Sequence, residues 1–259
     1  MLSLIVLLAM PGCVIGEVHQ GNGVSATEDR VVDAFDGVIG TMSIPVDVFA
    51  GPSPAVKVIC DENLLEFIVT DVDSGDLVVR SMQDGNRFVA IDPTVDCRVE
   101  ITTDGANHVM VTGSGPMTVT GDNLGGLGGI TGTGSGGLTI FGRAVAEDVA
   151  ITNTGSANIA IDSVIAASTE IVVTGSGSVS VLDGTTDTLA LTQTGSGNVD
   201  AADFVVGSLQ ATLSGSGHAE VTVTDSVEAT LTGSGGIVVH GDPAGRDVTT
   251  TGSGDVVYE

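Results

Sequence analysis

The sequence predicts an all-β protein: a three-sided parallel β-helix with about 20 residues per coil. Three observations lead there. The triplet Gly-Ser-Gly, or its near copy Gly-Ser-Ala, starts at Gly113, Gly134, Gly155, Gly175, Gly195, Gly215, Gly233 and Gly252, in steps of 21, 21, 20, 20, 20, 18 and 19 residues. A near-constant period of this size marks a solenoid, in which each unit buries its apolar face only against its neighbours. Between triplets the apolar residues recur every second position, as in Leu189 and Leu191 or Leu209, Ala211 and Leu213, which is the period of a strand with one buried face. Finally, Gly accounts for 38 of 259 residues and aromatics for only 3%, while the apolar fraction of 42% comes mostly from Val, Ile, Leu and Ala. That is too apolar for disorder, and its β-branched residues favour strands.

Taken in chain order, residues 1–13 form an apolar block too short to span a bilayer as a helix. It has the character of a secretory signal ending at Cys13, and it resembles a bacterial lipoprotein signal, in which that Cys becomes the lipidated first residue of the mature chain. The alternative is an ordinary signal peptide cleaved elsewhere, with Cys13 discarded. Residues 14–28 are polar and Gly-containing, and are expected to form a flexible tether. Residues 29–105 contain strand-like runs divided by turn signals at Gly51-Pro52, Asp84-Gly85 and Asp92-Pro93, without sustained helical periodicity. They read as irregular N-terminal β coils, with a separate small β-domain as the alternative. Export would leave Cys60 and Cys97 as a pair in an oxidising compartment, where a disulfide is expected; two buried thiols are the alternative.

Residues 106–259 are the regular solenoid. A strand precedes each triplet and a second follows it, with Ile159 and Ile161, Val179 and Val181, and Ile237 and Val239 facing the interior. Segments such as SVIAAS and ADFVVG suggest a third, weaker side. Twenty residues at ~3.3 Å each give a perimeter of ~66 Å, which suits three sides. The Gly residues permit a tight corner, and the Ser between them can stack on its copies.

RVVDAFDGV, DENLLEFIVTDVDSGDLVV and the recurring TGSGxVxV units resemble the bacterial head-GIN domain family, labelled an auto-transporter adhesin, over about residues 29–259. The resemblance implies a right-handed parallel β-helix on an exported, often lipid-anchored protein, and it carries over no catalytic motif. Tyr258-Glu259 follows directly on the last repeat, so no translocating outer-membrane barrel is expected after it.

Seven Lys+Arg against 33 Asp+Glu give a formal charge of −26, which repels phosphate backbones and excludes nucleic acid as a partner. The GSG serines recur eight times, whereas the His residues are only four, at 19, 108, 218 and 240. His218 directly follows a triplet and is the single tempting base. Its counterparts in other coils are Pro116, Gly137, Asn158, Ser178, Asn198, Gly236 and Asp255, so it reads as surface decoration. No HxxxH, CxxC or recurring GGxGxD occurs, so neither a metal nor a cofactor is expected. A polysaccharide-processing β-helix enzyme would need acids or basic groups gathered in a groove, and the regular coils hold only Arg143 and Arg246 as cations.

One surface pattern remains. The outward positions before successive triplets are Thr131 and Thr133, Thr152 and Thr154, Val172 and Thr174, Thr192 and Thr194, Thr212 and Ser214, Thr230 and Thr232, and Thr249 and Thr251. Such a ladder suits display to a glycan or an envelope protein, and its Thr-x-Thr spacing also resembles ice-binding β-helices. The expected function is a non-enzymatic, exported protein of the periplasm or cell surface, held to the membrane by its N-terminal lipid, with adhesion or envelope interaction as its role. The terminal coil, ending DVVYE, is expected to leave strand edges that self-association or a partner would cover.

Overall fold

The computed structural model describes residues 15–85 and 87–259. Its N-terminal part comprises β1 (Ile15–Gln20), β2 (Ser25–Arg30), β3 (Gly37–Gly40), β4 (Val46–Ala50), β5 (Ala55–Asp61), a 3-10 helix (Glu62–Phe67), β6 (Ile68–Asp73), β7 (Asp76–Ser81), β8 (Gln83–Asp84), β9 (Arg87–Asp92) and β10 (Arg98–Thr103). The repetitive part comprises β11 (His108–Val111), β12 (Met117–Gly125), β13 (Gly129–Gly132), β14 (Leu138–Val145), β15 (Asp148–Asn153), β16 (Ile159–Gly175), β17 (Val179–Val181), β18 (Gly184–Gly195), β19 (Val199–Gly215), β20 (Ala219–Gly233), β21 (Ile237–His240), β22 (Gly245–Gly252) and β23 (Val256–Tyr258). Together they form a β-solenoid of about 7 turns.

Three parallel sides run along it. The first is built from the strands that end at the triplets, stacked β7, β3, β11, β13, β15 and then the corresponding parts of β16, β18, β19, β20 and β22. The second follows each triplet, from β10 through β4, β12 and β14 to β21 and β23. The third passes through Ala144, Val164, Gly184 and Phe204 in register. Alternate residues on each side point inward, and Ile151, Ile171, Leu191, Ala211 and Ala229 form one such buried column. The triplet spacing equals the coil length, because Gly175 lies beside Gly195, Gly195 beside Gly215, and Gly215 beside Gly233. The short step of 18 residues is absorbed away from the corner, by register slips between Ala201 and Val205 and between Val206 and Ser208.

Each corner is held backbone to backbone. The carbonyl of Gly195 accepts N–H bonds from Ser216 at 2.9 Å and Gly217 at 3.2 Å, and the carbonyl of Gly215 accepts from Ser234 at 2.8 Å and Gly235 at 3.0 Å. Gly215 has φ +130°, a region that disfavours side chains, and a Cβ there would overlap the carbonyl oxygen of Gly195. Gly217 lies outside the left-handed region, yet its Cβ would overlap the carbonyl of Gly197. Close stacking, as much as turn geometry, therefore favours glycine, and the third position carries a Cβ only at Ala157. Inside the corners, buried amides tie neighbouring coils together. Asn153 Nδ2 donates to the carbonyls of Ala157 at 2.6 Å and Ser178 at 3.3 Å, and Gln193 Nε2 donates to the carbonyl of Gly197.

The N-terminal end departs from chain order. β3 and β4 lie inside the stack, β7 and β10 pair on their outer edges, and β11 and β12 pair on their inner edges. Residues 29–105 thus contribute strands continuous with the regular coils. Outside these strands the pairing becomes antiparallel: β6 on β7, β5 on β10, and β2 on β5. The apolar run around DENLLEF, read from sequence as strand, instead turns through the 3-10 helix, where Leu64 is fully buried against the open end of the core. The expected tether over 14–28 is also different: it contains β1, paired parallel with β9, and β2. Unpaired backbone at the rod's end supplies the partners that a polar sequence can use to form strands.

Two contacts lock this cap. Cys60 and Cys97 are disulfide-bonded, joining β5 to the segment before β10 across a separation of 37 residues. Beside them the Asp61 carboxylate is fully buried. It accepts the backbone N–H groups of Gly23 at 2.7 Å, Thr94 at 2.8 Å and Val95 at 3.2 Å, and the Thr94 hydroxyl at 2.7 Å. Burial opposes its ionisation, but the Thr94 hydroxyl and these N–H groups outweigh burial and pull its pKa from 3.8 down to about 2.

Gly215→Ala is expected to destabilise the protein by about 1–3 kcal/mol in urea unfolding, from backbone strain alone. Ser216→Ala, whose side chain is exposed, should stay within about 0.5 kcal/mol of wild type. Because the pKa of Asp61 is depressed on folding, its stabilisation is fully present above pH 3.8 and is lost as pH falls towards about 2. Asp61→Asn should therefore lower the melting temperature at neutral pH, and the gap to wild type should narrow across that acid window.

Candidate functional site

The first side of the rod carries the ladder of hydroxyls. Backbone register places Thr131 beside Thr152, Thr152 beside Val172, Val172 beside Thr192, and then Thr212, Thr230 and Thr249 in succession. A second column runs Thr174, Thr194, Ser214, Thr232 and Thr251. Thr133 and Thr154 extend it, their N–H groups each donating at 2.9 Å to the carbonyls of Val111 and Gly132 in the preceding coil. Thr131, Thr152, Val172 and Ser214 are half-buried, and the remaining members are exposed. Members of one strand stand two residues apart, ~6.6–6.8 Å, and successive coils ~4.8 Å apart. The face is regular because the residues between the paired positions point inward, from the buried Asn153, Val173 and Gln193 to Leu213 and Leu231.

Two further columns lie beside this ladder and were not anticipated from the sequence. Ser168, Thr188, Ser208 and Ser226 are in register, with the Ser226 hydroxyl donating to that of Ser208 at 3.0 Å. Next to them run Glu170, Ala190, Gln210, Glu228 and Asp247. Ala190 has the smallest side chain of this second column, and the gap it leaves forms a shallow hollow of about 300 Å³ bounded by Ser168, Thr188, Ser208, Gln210 and Glu228. The signal was present in the outward positions two and four residues ahead of the Thr-x-Thr pairs. It was hidden because these columns vary in residue type from coil to coil.

His218 sits in a corner column. Its N–H donates to Asn198 Oδ1 at 3.0 Å, Asn198 N–H to Ser178 Oγ at 3.2 Å, and Ser178 N–H to Asn158 Oδ1 at 3.0 Å. Its position therefore belongs to a structural ladder. Two other histidines meet carboxylates: His108 Nε2 lies 2.9 Å from Asp76, across the bare backbone of Gly37, and His240 Nε2 lies 2.7 Å from Glu220. Among the described residues no group of three His, Cys, Asp or Glu side chains is placed to hold a metal ion. Asp61 and Asp47, whose acidity the fold alters, both lie in the N-terminal part. Burial raises the pKa of Asp47, with the Arg98 guanidinium opposing and Glu100 reinforcing the shift.

At the other end, β22 pairs with β20 and β23 with β21. Its inward positions, Arg246, Val248 and Thr250, stack on Val227, Ala229 and Leu231 and are exposed. The Arg246 guanidinium lies 4.2 Å from the centre of the Tyr258 ring and covers part of this end. Cys13 lies outside the described residues. Among those described, no helix is long and apolar enough to cross a membrane.

No functionally curated protein matches the chain. Solved structures do. A "putative adhesin" from Parabacteroides merdae superposes with a TM-score of 0.82 at 22% identity, over 94% of this chain and 100% of that one. A "putative lipid binding protein" from Parabacteroides distasonis gives 0.80 at 24% identity, over 93% and 100%. A "putative adhesin" from Bacteroides fragilis gives 0.68 at 19%, over 93% and 99%. At these identities the likeness is one of fold. The family model described as "Putative auto-transporter adhesin, head GIN domain" matches residues 34–243, and the chain belongs to that family.

Proposed function

We propose that this is an exported, non-enzymatic adhesin-like protein, anchored through a lipid on Cys13, whose rod presents the hydroxyl face to a glycan or to another envelope protein. The observation that carries the reading is the coil-by-coil register of outward Thr and Ser from Thr131 to Thr251. Closely spaced hydroxyls, together with the amide of Gln210 and the carboxylate of Glu228, offer donors and acceptors in a fixed lattice. Rigid strands lower the entropy cost of meeting a repetitive partner. The membership in a family named for adhesins supports the same role. In this reading the terminal strands β22 and β23 gain partners by self-association, which light scattering would report as species larger than a monomer.

The ladder also supports ice binding, because Thr-x-Thr pairs recur in successive coils with a single interruption in the first column after Thr131, at Val172. Thermal hysteresis and ice shaping decide that alternative, which ends if crystals grow normally.

On a glycan array, Thr192→Val, Thr212→Val and Thr230→Val combined should weaken binding at least tenfold, since Val keeps the β-branched shape and removes the hydroxyl. The melting temperature should change little. Retention of full binding would remove the ladder from the recognition surface. Fatty-acid labelling in the native host should mark the wild type and not Cys13→Ala; equal labelling of both would refute the anchor.

A further inference from the structure

The cap at the N-terminal end leaves a cleft between the corner 41–43 and strand β9. It measures about 390 Å³ and is walled by Met42, Phe88, Ala90 and Ile91, with Ser43 and Thr112 on its hydroxyl-bearing rim. Phe88 is 44% exposed, although Phe204, in the regular coils, is completely buried. An aromatic side chain held open on an apolar wall favours an apolar occupant.

The course of β1 indicates which one. β1 runs parallel to β9 with Ile15 opposite Phe88, Val18 opposite Ala90 and Gln20 opposite Asp92. The Gln20 amide donates to the Asp92 carboxylate at 2.6 Å, and the N–H of Gly21 donates to the Asp92 carbonyl at 2.9 Å, so the far end of β1 is pinned. β1 therefore begins beside Phe88, a residue of the cleft wall. Cys13 is two residues before Ile15, a reach of ~7 Å.

We propose that the cleft seats one acyl chain of the lipid carried by Cys13, an inference that rests on the lipid anchor proposed above. One chain enters between Met42 and Phe88 while the rest of the lipid remains in the bilayer. The cap is thereby held against the membrane surface, and the hydroxyl face extends away from it along the rod. Membrane attachment depends on how many chains stay in the bilayer, so the cleft also sets how firmly the protein is held.

The test uses the mature chain from residue 13 with Cys13→Ala, which is unlipidated, and the lipidated wild type in lipid nanodiscs. A pyrene-labelled palmitate should bind the unlipidated chain saturably, one probe per chain, and the lipidated protein at least tenfold more weakly because its cleft is filled. Ala90→Arg on one wall and Ser43→Trp on the opposite rim should each weaken uptake by the unlipidated chain at least tenfold, with unchanged circular dichroism. Absence of saturable uptake, or uptake indifferent to both variants, overturns the proposal. Equal uptake by lipidated and unlipidated protein overturns it as well, since the cleft would then accept free amphiphiles and not its own lipid. Fatty-acid labelling of Cys13 separates the two ideas: no label defeats the anchor, whereas label without probe uptake defeats the cleft alone.

Discussion

Successive corners of this rod stack main chain on main chain, and the space between them admits no side chain at the first position of each triplet. The carbonyl of the first glycine in every triplet before the last accepts two N–H groups from the next coil, as Gly215 does from Ser234 and Gly235. Those bonds need the peptide planes to approach more closely than a Cβ would allow, as at Gly215, Gly217 and Gly235. Once the corners are aligned, the strands on either side have no freedom of register. A slip of one residue would turn every buried aliphatic side chain outward. The variation in coil length is therefore expelled to other parts of the turn, as happens beyond Ala201.

The same constraint produces the surface. Outward residues in a solenoid repeat at the coil spacing because the inward ones do, so a column of like side chains follows wherever successive units share a residue type. The threonine columns arise in this way, and so does the corner ladder in which the side-chain oxygens of Asn158, Ser178 and Asn198 accept the N–H of the next coil, ending at His218. Chemistry that needs three or four different groups converging on one point is hard to build on such a lattice, whereas recognition of a repetitive partner is easy. A formal charge of −26 adds a long-range repulsion from polyanions that the hydroxyl columns do not share.

The two ends solve the problem of an open core differently. The N-terminal end uses antiparallel strands, the Leu64 plug, the disulfide and the buried Asp61 carboxylate, and apart from the β6–β7 hairpin its pairings join residues distant in the chain. The C-terminal end has more polar inward residues, Arg246 and Thr250, where earlier coils carry Val227 and Leu231, and the Arg246–Tyr258 stack covers part of it. This polarity keeps the last coil tolerant of water while its strands retain groups able to pair.

From the sequence alone, the solenoid, its side count, the inward and outward sets and the hydroxyl columns could be read, since each follows from local alternation and a fixed period. The neighbouring columns of Ser208 and Gln210 were obscured by residue changes between coils, and the corner bonds of Asn153 and Gln193 emerge only when their carbonyl partners are in place. The tertiary structure alone decided the N-terminal end. There β3 and β4 lie inside strands that come later in the chain, and Ile15–Gln20 and Ser25–Arg30 become strands because an exposed sheet edge is available to them. Periodic text specifies contacts between neighbours of fixed separation, but a cap is made of unique long-range pairings whose partners no local pattern names.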